Sequence, residues 1–387
     1  MSDASYESTS LVIPLNYLFC ALTAPIVVGP LRACNPRLLT MLGCLIITVA
    51  IFLSRWALST FALVLLFGVL AGVGEGFIFL TPLRCALLYY PRHQGLVTGL
   101  NFAGLSLGLF FFSELYFVLI NPHNARPSVV RQTGSLTELY YGPEVADNFP
   151  LANSVVALVL VAISSLAGLF VRTPGPRWLN RTSPLLQPEE EVIQKPLRVR
   201  ELLASCTFWK LYLMAVLASF FGSYMYSVAK PYGLMMNGDD QFNTLALTVA
   251  GLAGGSLRFL WTWAIDHYGF QKVGLTLFLT IIFVASTLPM VASSKPLFFI
   301  YVILSVACDA AIIAVFPALC TIVFGIHSGT LAFSFIFSGI ALILVGGSLF
   351  SQLAVSSLGY PAFFYGSAVA TAIALGIHFA MPIYKSR

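Results

Sequence analysis

The sequence predicts an all-α polytopic membrane protein of about eleven transmembrane helices, arranged as two bundles of five and six. Two observations carry this. Only 9% of the 387 residues are charged and 58% are hydrophobic, whereas a soluble domain carries about 25% charged residues. The mean hydropathy is +0.90, and the apolar residues fall in uncharged runs long enough for a helix of about 20 residues to cross a hydrocarbon core. A membrane β-barrel would show segments of about 10 residues alternating in polarity, and the sequence has no such alternation. The same composition excludes a water-soluble fold, a nucleic-acid binder and a disordered scaffold.

In chain order, Met1 to Ser10 is polar and lacks a basic region. The apolar run that follows, 11–31, therefore reads as a retained helix and not as a cleaved signal peptide. Runs at 38–54, 61–88, 96–120 and 154–171 complete a first series. A second series lies at 208–228, 244–265, 273–291, 298–324, 330–355 and 363–383. Between the fourth and fifth runs, residues 121–150 carry Arg126, Arg131, Glu138, Glu144 and Asp147, which fits a sizeable polar loop. Residues 172–207, rich in Pro and Arg and including Glu189, Glu190 and Glu191, read as a solvated linker. The expected organisation is a first bundle at 1–171, a linker at 172–207 and a six-helix bundle at 208–387. A cytosolic linker puts fourteen Lys/Arg on the cytosolic side and five on the other, with Arg258 inside a helix, as the positive-inside rule requires.

The halves look like repeats, because each has a short polar loop after an early helix: Gly29 to Arg37 in the first, Asp266 to Lys272 in the second. The second loop follows two helices of its half and the first follows one. Paired six-helix repeats would then leave the first half without its opening helix.

Asp266-His-Tyr-Gly-Phe-Gln-Lys272 resembles the loop signature of the major facilitator superfamily. The segment Tyr90 to Gly108 is similar to the fourth-to-fifth-helix region of the oxalate/formate antiporter and monocarboxylate transporter relatives. Gly254-Gly-Ser-Leu-Arg258 followed by Asp266 resembles their eighth helix, and Phe316-Pro317 with Phe324-Gly325 the end of their tenth. The resemblance implies a major-facilitator-like two-bundle fold, alternating access, and a substrate-binding role for Arg258. It also implies a conformational loop made of Asp266, Gly269 and Lys272 with Arg92. Two departures stand out: no acidic residue lies between Gly29 and Arg37, and the run 330–355 has no lysine.

An ionisable group at the bilayer centre costs at least about 2.5–3.5 kcal/mol on insertion scales, so each needs a partner, a wet cavity or a neutral state. Arg258 shares a helical face with Gly251, Gly254 and Gly255, and its planar fork suits a carboxylate. The plainer reading makes it the structural partner of Asp309. Asp309, among the small residues of Cys308-Asp-Ala-Ala311, is either a proton-coupling sensor that engages Arg258 when the site is empty or half of a permanent pair. Glu75, in Gly72-Val-Gly-Glu-Gly76, is a proton-carrier candidate or a neutral structural acid, with Gly68, Ala71 and Gly72 marking close helix packing. Glu114, closer to the outer end of its run, is a third coupling candidate or simply faces water. Tyr224 and Tyr226 are candidate cavity liners.

No nucleotide cradle, metal-ligand spacing or CxxC pair is present, so neither an enzyme nor a cofactor or metal is expected. Two classes of function remain. One is a secondary transporter of small, monocarboxylate-like organic anions with a coupled proton or counter-anion. The other is a transporter-derived membrane protein that binds or regulates a partner without transporting. The expected surroundings are the lipid bilayer of the plasma membrane or an internal membrane.

Overall fold

The computed structural model describes residues 12–57, 59–123, 129–133, 136–140, 142–175, 178 and 197–381. They form two compact units, one of Met1–Pro82 with Gly108–Arg172, the other of Leu83–Leu107 with Thr173–Arg387.

The first unit begins with α1, Val12–Val28. Helix α2, Pro36–Ser54, starts where Asn35 Oδ1 accepts from the Arg37 N–H at 3.0 Å and Pro36 supplies a preset φ. Ser59 Oγ caps the next helix by accepting from the Ala62 N–H at 3.2 Å. That helix, α3, runs through Thr60–Leu63, a π-helical stretch Val64–Leu70, and Ala71–Phe79. The run 61–88, expected as one helix, is broken at Leu80, and α4 follows as Thr81–Tyr89. The cause is Pro82, which has no N–H to give to the carbonyl of Ile78.

Glycines set how closely these helices approach. A Cβ at Gly72 would meet the Asn16 backbone, and one at Gly76 would meet Thr23, so the face 68, 72, 76 of α3 lies directly on α1. Gly74 rests in the same way against Gly43 of α2. Such stripes of small residues let helices pack backbone to backbone in a membrane, where apolar burial contributes little.

Helix α5, Gln94–Ile120, belongs to the second unit up to Leu107 and to the first from Gly108. Residues 121–150, expected as a polar loop, contain an antiparallel hairpin. Its strands are β1 Val129–Thr133 and β2 Leu136–Tyr140, in the register Val129↔Tyr140 to Thr133↔Leu136. Helix α6, Phe149–Gly168, closes the first unit. There Tyr116 Oη donates to Asn153 Oδ1 at 2.7 Å and Asn153 Nδ2 donates to Ser54 Oγ at 2.7 Å, a buried chain joining α5, α6 and α2. Of the expected linker, residues 172–175, 178 and those from 197 are described. They include the short helix α7, Val199–Ala204; Glu189 to Glu191 lie outside the described residues.

The second unit holds α8, Cys206–Asn237, which stops at the left-handed Gly238 (φ 66°). The helical stretch Asp240–Val291 turns at Gly269 (φ 75°, ψ 157°), giving α9 (240–268) and α10 (270–291). Lys295–Phe379 turns at Gly325 (φ 76°, ψ 163°) and Gly359 (φ 74°, ψ 163°), giving α11 (295–324), α12 (326–358) and α13 (360–379). All three turns use a backbone conformation open essentially to glycine alone. With α3 and α4 taken as one span, Thr60–Tyr89, the described residues hold eleven apolar helical segments, one for each expected run.

Helix α11 is the core of this unit. Every residue from 305 to 320 is buried, as expected for a helix that is apolar all round. Asp309 is the charged exception, and it sits in the middle.

Candidate functional site

Helix α9 brings Arg258 into the second unit with its side chain 7% exposed. The three glycines on its face differ in how much space they leave. A Cβ at Gly254 would stand 3.0 Å from Val306 of α11, and one at Gly255 would overlap Ser106 of α5, so neighbouring helices fill both positions. Only Gly251 faces open space among the three.

The guanidinium is tied at one nitrogen. Arg258 Nη1 donates to the Phe102 carbonyl at 3.1 Å and to Ser106 Oγ at 3.2 Å. Nε is buried and has no acceptor, and Nη2 makes no hydrogen bond among the described residues. Leaving a buried charged donor unsatisfied costs about 1–3 kcal/mol or more. The unsatisfied edge, Nε with Nη2, is the one that pairs with both oxygens of a carboxylate.

Asp309 is 6% exposed. Its carboxylate lies against α8 at Gly222, where a Cβ would collide with Asp309 Oδ1, Cγ and Cβ. Arg258 is within electrostatic reach of Asp309, yet the two form no ion pair within 4.0 Å, and Asp309 makes no hydrogen bond among the described residues. The structure thus brings an arginine and an aspartate into one apolar core without joining them.

Tyr224, also on α8, is buried and its hydroxyl has no partner among the described residues. Its ring stacks on Phe363 of α13 at 4.6 Å and meets Phe364 edge-on at 5.5 Å. Tyr226 is on the same helix, with its side chain outside those described.

Glu75 and Glu114 lie in the first unit. Asn16 Nδ2 donates to Glu75 Oε1 at 3.2 Å and to the Phe67 carbonyl, in the π-helical stretch, at 3.2 Å. Glu75 is half-buried within that knot, and Glu114 is exposed.

The loop residues separate. Asp266, at the end of α9, caps the N-terminus of α5: Oδ1 accepts from the Gly95 N–H at 2.9 Å and Oδ2 from the Leu96 N–H at 2.8 Å. This satisfies two otherwise orphaned donors and sets a negative charge at the positive end of a helix. Gly269 makes the turn, while Arg92 and Lys272 are exposed and do not engage Asp266. Ser106, Phe102, Gly222 and Asn16 are the groups that sequence reasoning passed over. A helical serine and a backbone carbonyl carry no distinguishing signal, whereas Asn16, a polar residue in an apolar run, did.

Among solved structures, the chain superposes on the proton:xylose symporter XylE with a TM-score of 0.72, at 11% identity over 98% of this chain and 87% of that one. It superposes on the fucose transporter FucP in the outward conformation with a TM-score of 0.66, at 13% identity over 98% and 91%. The fold is that of the major facilitator transporters. The human organic anion transporter MFSD10 gives a TM-score of 0.64, at 16% identity over 96% of this chain and 83% of that chain. No family model matches the chain.

By sequence it is similar to "Apicoplast pyruvate carrier 1" of Toxoplasma gondii, 29% identical over 211 residues, 47% of this chain and 38% of the relative. It is also similar to "Monocarboxylate transporter 14" of Mus musculus, 25% identical over 201 residues, 49% of this chain and 38% of the relative. The matched region is thus less than half the length of either relative. Together the apolar helices and the major facilitator fold make this a multi-pass integral membrane protein.

Proposed function

We propose that this protein is a secondary transporter of small monocarboxylates that works by alternating access, with Arg258 holding the carboxylate and Asp309 carrying a coupled proton. The observation that carries the reading is a buried arginine whose Nε and Nη2 have no hydrogen-bond partner among the described residues, within electrostatic reach of a buried aspartate that has none there either. A carboxylate entering that edge gains two charge-assisted hydrogen bonds. It also brings a second negative charge toward Asp309, and proton uptake by Asp309 relieves the repulsion. Anion and proton then travel together. The pyruvate carrier and monocarboxylate transporter among the relatives support the same substrate class.

Uptake of labelled pyruvate into proteoliposomes tests this. An inward proton gradient should stimulate uptake. Asp309→Asn should lose that stimulation while retaining exchange of pyruvate against internal pyruvate. Transport confined to neutral or cationic solutes, or an Asp309→Asn variant still driven by the gradient, would overturn it.

A further inference from the structure

Helices α5 and α9 meet along one stripe each. Gly95 and Gly99 of α5 lie on Thr262 and Asp266 of α9, and Ser106 lies on Gly255. One end of the stripe is fixed by Asp266 at the start of α5. At the other end, both hydrogens of Arg258 Nη1 are taken by the Phe102 carbonyl and Ser106 Oγ. Serine and threonine hydroxyls in helices commonly donate back to the carbonyl four residues earlier. Thr98 does so to Gln94, and Thr262 to Arg258. At Ser106 the arrangement differs: its hydroxyl makes no such bond among the described residues, and Arg258 Nη1 donates to both the Phe102 carbonyl and Ser106 Oγ.

We propose that Ser106, with the Phe102 carbonyl, is a positioning residue for anion binding: it fixes the plane of the Arg258 guanidinium so that the Nε/Nη2 edge alone is offered to the substrate. Two hydrogen bonds at Nη1 restrict how the planar guanidinium can turn, and a donor pair held in place binds an oxyanion without reorganising. The inference rests on reading Arg258 as the anion site. It adds that affinity depends on a side chain that never touches the substrate and exists only while α5 and α9 stay zipped along this stripe.

The test uses the full chain in proteoliposomes, with labelled pyruvate binding, uptake kinetics and thermal melting measured on Ser106→Ala. The expected result is a Kd and KM raised about tenfold, the scale of one lost charge-assisted bond. The maximal rate should fall much less, and the melting temperature without pyruvate should stay within about 2 °C of the native chain. Should Ser106→Ala not reach the membrane, Ser106→Cys, similar in shape and a weak acceptor, gives the same test. An unchanged Kd in a native-like variant would overturn the inference and leave the anion reading standing. A native chain that binds no pyruvate, lactate or formate would overturn both.

Discussion

The two units treat their buried polar groups in opposite ways. In the first, Asn153, Tyr116 and Ser54 form a chain of hydrogen bonds, and Glu75 has Asn16 as its donor; among the described residues only the hydroxyl of Thr40 is left over there. In the second, among the described residues, Arg258 Nε, the Tyr224 hydroxyl, Gln94 Oε1 and His378 Nδ1 have no partner, and Asp309 has neither a hydrogen bond nor an ion pair. Satisfied networks hold helices in place. Unsatisfied buried groups are costly, and Arg258 Nε is the one to which the proposed function gives a ligand as partner.

The contrast can be sharpened at two positions. The larger effect is expected at Gly222, where an added methyl collides with the Asp309 carboxylate. Gly222→Ala should reduce pyruvate uptake at least about tenfold at normal abundance, since overpacking costs about 1–3 kcal/mol and here displaces a charged group. Gly251→Ala, which meets nothing within 4 Å, should leave uptake near native and serves as the control in the same assay. The smaller effect belongs to the first unit. Asn153→Ala leaves Tyr116 and Ser54 without their shared partner and should lower stability by about 1–3 kcal/mol. Melting in detergent should show the loss while KM for pyruvate stays unchanged. A raised KM with native melting would break the division between scaffold and site.

The fold was legible because each span must be both long and apolar, so hydropathy marks it directly, and Gly269 and Gly325 stand at the ends of apolar runs. Two features escaped for physical reasons. The paired strands at 129–133 and 136–140 lie in a stretch whose charges point to a loop, and a strand of five residues is too short for its period to stand out against them. The interruption of 61–88 depends on Pro82 and on a π-helical stretch that no residue pattern announces. At the site, Arg258 and Asp309 were visible as charges in apolar surroundings. Their relation was not: sequence offered a direct pair as one reading, and the structure places Asp309 on Gly222 and Arg258 on α5. Side-chain identity fixes what a group can bond, and only packing fixes what it does bond.

In the proposed function Arg258 binds the transported carboxylate and is not merely the counter-ion of Asp309. The most direct measurement is pyruvate uptake, normalised to protein at the membrane, for Arg258→Lys and for the double variant Arg258→Leu with Asp309→Leu. The Lys variant keeps the charge and loses the fork; the double variant leaves no buried charge unpaired. Both should reach the membrane and both should lose at least about 99% of uptake, the effect of about 2.7 kcal/mol of lost binding. A double variant that still carries pyruvate at a native-like rate would contradict the account.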